Sequence, residues 1–135
     1  MRKQNKTIVI ILIMQLFFLS SCSVNNYQQF AEEFEDVYNE IIITVDTDEA
    51  LVTMENLQSL EVNKKIKELE ILLQRVENNV PSNRNEEYRR FVSRYKGLIL
   101  LRDSYKKMDR LSDIEKVDVY GEIIEIGYHR KSLDD

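Results

Sequence analysis

The chain reads as an all-α protein, either a three- to four-helix antiparallel bundle or a helical hairpin with an added helix. Three observations predict this. Only three glycines and one proline occur in 135 residues, too few for the many turns of a β fold. Apolar side chains recur at steps of three and four over long segments, the period of a helix with one buried face. Polar capping patterns, above all Ser112-Asp113-Ile114-Glu115, stand where such segments begin.

The first helix is predicted from residue 27 to about residue 44. Tyr27, Phe30, Phe34, Val37, Tyr38, Ile41 and Ile42 form its apolar stripe, with Glu32, Glu33, Glu35, Asp36 and Glu40 on the wet side. Asn25-Asn26 is placed to cap it, and its early acids suit the positive end of the helix dipole. Ile41-Ile42-Ile43-Thr44-Val45 is β-branched and competes locally as a strand. Asp46-Thr47-Asp48-Glu49 marks a turn or a restart, with Thr47 or Asp46 as the new cap.

A second stripe runs from Leu51 to Val80. Within it Val62, Ile66, Leu69, Leu73, Val76 and Val80 alternate steps of four and three, a seam suited to a helical hairpin or a short coiled coil. The strongest break follows at Asn78-Asn79-Val80-Pro81-Ser82-Asn83, where Ser82 or Asn83 can cap a third helix with Glu86 in capping-box range. That helix carries Tyr88, Phe91, Val92, Tyr95, Leu98, Ile99 and Leu101, with Tyr105, Met108 and Leu111 beyond. Residues 112–128 are read as a fourth, weaker helix, with strand as the alternative. Val117, Tyr120, Ile123, Ile124 and Tyr128 form its stripe, and Val119 and Ile126 widen it. Gly121 and Gly127 weaken it, and the charged end from His129 to Asp135 is expected to fray.

Ahead of the helices, Arg2, Lys3 and Lys6 precede an apolar run from Ile8 to Leu19 broken only by Gln15. A basic start, a short apolar region and small residues before a cut make a secretory signal. The run is shorter than the roughly 20 residues of a spanning helix. It ends in Leu19-Ser20-Ser21-Cys22, which contains the chain's one cysteine. This stretch resembles the lipobox of a bacterial lipoprotein precursor: Leu, a small residue, Gly/Ala/Ser, then Cys. The resemblance covers residues 1–22 alone. It implies a signal peptide over residues 1–21, diacylglycerol on the Cys22 sulfur and cleavage before it. Residues 22–26 then form the lipidated cysteine and a short tether, and residues 27–135 the helical domain. A tether this short keeps the domain near the bilayer, and two or three acyl chains hold stably where one does not. A disulfide within the chain is excluded by the single cysteine.

The chain has 19 Lys+Arg and 24 Asp+Glu. Three of the bases lie in residues 1–21, leaving 16 bases against 24 acids and a net charge of −8 from Cys22 onward. No Lys or Arg occurs from Cys22 to Asn63, whereas Arg84 to Arg110 holds nine bases against four acids. An acidic first helix packed beside a basic third helix accounts for this distribution. A basic face toward anionic lipid or wall polymer is the sharper alternative, with Arg89, Arg90 and Lys96 as its candidate residues. Nucleic acid is a poor partner for so acidic a domain outside the cytoplasm.

Catalytic and ligand motifs fail one by one. A calcium loop starting at Asp46 would want an oxygen ligand, glycine and glutamate where Ala50, Leu51 and Leu57 stand. His129 is the one histidine, without the companions of a zinc site or of a Ser–His nucleophile. The isolated glycines 97, 121 and 127 build no phosphate loop. The many acids suit wet helix faces, although a carboxylate pair of a wall-cleaving enzyme has the same composition. Seven tyrosines, among them Tyr88 and Tyr95 one heptad apart, fit core rims better than a binding stripe.

The expectation is therefore a non-enzymatic binding or accessory lipoprotein, without cofactor or metal. It is held on the outer face of a bacterial membrane through Cys22 and meets an envelope or exported protein through a helical surface. A phage-exclusion or toxin-immunity lipoprotein is the alternative, and a minimal wall-acting enzyme the third reading. Composition leaves the oligomeric state open.

Overall fold

The structure is a computed structural model and describes residues 26–135. The apolar run, the Leu19-to-Cys22 motif and residues 22–25 lie outside the described residues. Five α-helices and two 3-10 turns occur among the described residues, and no strand. They are α1 (26–45), α2 (Ala50–Asn56), α3 (Leu60–Asn79), a 3-10 turn (Ser82–Arg84), α4 (Asn85–Ser104), a second 3-10 turn (Tyr105–Arg110) and α5 (Asp113–Asp134).

α1 includes the β-branched 41–45 stretch, because Ile41, Ile42 and Val45 are wholly buried and continue the helical stripe of Phe34 and Tyr38. Tertiary burial outweighs local strand propensity there. Asn26, expected in the tether, is already helical. The chain turns through 46–49, where the Thr47 backbone N–H donates to Thr53 Oγ1 at 3.1 Å and Thr47 Oγ1 donates to the Glu49 carbonyl at 2.9 Å. Thr47 thus braces the loop instead of capping α2, whose N-cap is Glu49 without a side-chain bond. Asn56 Nδ2 donates to the Val45 carbonyl at 3.2 Å and closes the open end of α1.

The long second stripe is two helices. The chain breaks at 57–59 without glycine or proline, and Ser59 Oγ accepts from the Val62 N–H at 3.3 Å to start α3. Val62, Ile66, Leu69 and Val76 bury as the seam requires, with Leu72 joining them and Leu73 half-buried. After Pro81 the expected Ser82 or Asn83 cap is replaced by the 3-10 turn, and α4 starts without a side-chain cap. α4 stops at Ser104, short of Tyr105 and Met108.

Side-chain links fix the directions. Tyr27 meets Glu87 and Glu35 meets Arg94, so α1 and α4 run parallel. Lys65 pairs with Glu40, and the Arg75 guanidinium lies 5.5 Å from the Phe30 ring centre, so α3 runs antiparallel to α1. Phe34 and Phe91 join α1 to α4 with ring centres 4.7 Å apart. α5 covers α4 and α1 from the other side, with Glu122 against Gly97 and His129 bonded to Asn39. It opens on a full capping box, Ser112 with Glu115, and continues helical through 129–134, where fraying was expected. Ser112 and Glu115 satisfy each other's orphan N–H groups, which offsets the propensity cost of two glycines. No helix of the described residues is long and apolar enough to cross a membrane.

Candidate functional site

α5 is apolar on two sides. Val119 and Ile126 are 0% and 3% exposed and, with half-buried Ile123, form the side docked on the bundle. Ile114, Val117, Tyr120, Ile124 and Tyr128 are 77%, 69%, 49%, 57% and 65% exposed. Their steps of three, three, four and four place all five on the opposite side of one helix. Gly121 lies within that stripe, and an added Cβ there would meet nothing within 4 Å. A helix apolar all round normally belongs inside a protein, and a contiguous exposed stripe marks a contact surface. Of the stripe read from sequence (Val117, Tyr120, Ile123, Ile124 and Tyr128), Ile123 alone packs inward and the other four face out, while Val119 and Ile126, read as widening it, form the docked side.

An acidic row borders the stripe. Asp118, Glu122 and Glu125 follow one another at helical steps, and none forms an ion pair among the described residues. Glu122 reaches inward against Gly97, where any Cβ would stand 2.1 Å from its Oε2. The glycine is what lets a carboxylate rest on α4. Burial, and then the neighbouring Glu125 and Asp118, push the Glu122 carboxyl above its ordinary range.

Beside the row lies a recess of about 480 Å³, lined by Tyr38, Arg94, Glu122, Glu125, Tyr128 and His129, among others. Arg94 Nη1 donates to both Glu35 oxygens, at 2.6 and 2.7 Å, and the guanidinium lies 5.3 Å from the Tyr38 ring centre. His129 Nε2 donates to Asn39 Oδ1 at 2.7 Å, because an amide oxygen only accepts, and its ring meets Tyr38 edge-on at 5.1 Å.

Burial, and then Arg94, hold the His129 imidazole below its ordinary 6.5. The unfolded chain therefore binds a proton that the folded chain refuses, and stability falls as pH drops from 6.5 toward the lowered value. Glu122 acts in the opposite sense, since its carboxyl stays protonated to higher pH in the folded chain. His129→Gln keeps a donor for Asn39 and removes the imidazole titration. Urea unfolding between pH 7 and pH 5.5 is expected to show the wild type losing more stability than the variant; parallel curves would dismiss the histidine.

A second cleft, of about 400 Å³, opens between the first turns of α1 and the Pro81 to Phe91 stretch. Ala31 and Phe91 contribute apolar surface to it, and Glu32, Glu35, Asp36 and Glu87 carboxylates. Three of these carboxylates are engaged: Glu32 by the Gln28 amide at 3.0 Å, Glu35 by Arg94, and Glu87 by the Tyr27 hydroxyl at 2.7 Å and Arg84 at 3.2 Å. Burial, and then the Glu87 bond, keep the Tyr27 hydroxyl protonated well above the ordinary phenol range.

Arg89, Arg90 and Lys96 are exposed on α4 and form no ion pair among the described residues. The acidic first helix is instead matched by Arg94 through Glu35 and by Lys65 through Glu40. Tyr88 and Tyr95 are half-buried against the core. Among the described residues no three His, Cys, Asp or Glu side chains are placed to hold a metal ion. In comparisons with known proteins, no family model, no curated sequence and no solved structure matches this chain significantly.

Proposed function

We propose that this chain is an extracytoplasmic lipoprotein, anchored to the bacterial membrane through Cys22. It works as a non-enzymatic binding or accessory protein through the outer side of α5, toward an exported or envelope protein. The observation that carries the binding reading is the exposed stripe of Ile114, Val117, Tyr120, Ile124 and Tyr128 on a helix already docked by its other side. A folded domain gains nothing for its own stability from five large side chains held in water, whereas a partner gains roughly 25 cal/mol for each Å² of them it covers. The anchor rests on the Leu19-Ser20-Ser21-Cys22 motif after its basic and apolar lead.

Cys22→Ser removes the sulfur that lipidation requires. Growth with labelled palmitate is expected to label the wild-type chain and leave the variant unlabelled and either released or unprocessed. A variant that is labelled and processed like the wild type would overturn the anchor.

A further inference from the structure

We infer that the outer side of α5 and its acidic row form a docking site for a cationic amphipathic helix of a partner protein. This deepens the binding reading above and rests on it. From Ile114 to Tyr128 the stripe is about 21 Å long at 1.5 Å per residue, room for about four turns of a second helix. Such a helix would lay its apolar side on Val117, Ile124 and Tyr128, with Gly121 giving it space to approach. Along one edge, Asp118 and Glu125 present carboxylates, and Glu122, turned toward Gly97, lines the recess beside them; none of the three has a cation among the described residues. A Lys or Arg of the partner can run its methylene stem over Tyr128 and place its charge between Glu122 and Glu125. Glu35, paired with Arg94, offsets part of that guanidinium's repulsion. The chain's charge of −8 from Cys22 onward steers a basic partner inward.

The same charges disfavour the other occupants. In an antiparallel pair of α5 helices centred between Gly121 and Glu122, Asp118 falls opposite Glu125 of the second copy, and in a parallel pair Asp118 falls beside Asp113. Like charges at such flanks oppose association. An anionic bilayer meets the same acidic edge.

The test uses the full chain in zwitterionic nanodiscs, with empty nanodiscs subtracted. The probes are two helical peptides of about 18 residues, one of Leu and Lys and one of Leu and Glu in the same pattern, each long enough to cover the stripe. The wild type is expected to bind the Lys peptide about tenfold or more tightly than the Glu peptide. Ile124→Asp, at an exposed position, should cost about tenfold while circular dichroism stays unchanged, and Asp118→Lys with Glu125→Lys should reverse the preference. Equal binding of both peptides that Ile124→Asp still abolishes overturns the cationic partner and leaves the binding surface standing. Binding indifferent to Ile124→Asp, or no binding of either peptide, overturns the docking site. Concentration-dependent dimerisation that Ile124→Asp removes would give the face to a second copy, and fluorescence quenching of Tyr128 by labelled lipid would give it to the bilayer; either result overturns the proposal.

Discussion

Val119→Asp is expected to strip α5 from the bundle, at a cost of about 3–5 kcal/mol, while Val117→Asp changes stability by no more than about 0.5 kcal/mol. The two valines are two residues apart on one helix, one wholly buried and the other 69% exposed. A carboxylate at 119 would sit among the core residues without a partner, and an uncompensated buried charge carries that penalty. A carboxylate at 117 stands in water, where substitutions are nearly neutral. Urea unfolding followed by circular dichroism measures both. Equal losses would mean that α5 has no preferred side, and a larger loss at 117 would restore the orientation read from sequence.

Phe34→Ala is expected to be the most damaging truncation in the α1–α4 seam. Phe34 is wholly buried, its ring centre is 4.7 Å from that of Phe91, and it stacks at 6.3 Å on Tyr38. Removing it deletes an aromatic pair and leaves a void lined by atoms of two helices, at a cost of about 3–5 kcal/mol. Set against the roughly 5–15 kcal/mol that holds a typical domain together, the loss brings the chain close to unfolding at 37 °C. Phe34→Leu, which keeps most of the volume, should cost less than half as much. A Phe34→Ala chain within about 1 kcal/mol of wild type would show that α1 and α4 are not held by this contact.

What the sequence made legible follows from where a single periodic signal was present. α1 and α3 each have one apolar stripe bordered by charge, so burial at Phe34, Ile41, Val62, Ile66 and Val76 is readable from spacing. α5 has two stripes, and periodicity says only that it is helical. Which side turns inward is decided by partners: Val119 and Ile126 join the common core, and Gly97 admits Glu122. No local pattern carries that choice. The break at 57–59 was invisible because it contains no glycine or proline; Ser59 was its one signal. Arg94 could be placed near a stripe edge, but its pairing with Glu35, 59 residues away, depends on the parallel run of α1 and α4.

The parallel alignment of α1 and α4 also sets an order of events. Tyr27 waits for Glu87 across 60 residues, and Asn39 for His129 across 90, whereas α3 and α4 are joined by a short turn and close on each other locally. Loop-closure entropy favours the α3–α4 hairpin as the first stable piece, with α1 and α5 added later. A chain made or exported N-terminus first therefore carries the bare stripe of Phe34, Ile41 and Ile42 until the α3–α4 hairpin, which ends at Ser104, has emerged. Its vulnerable period is set by delivery time, and a holding factor would act on α1 before any other part of the chain.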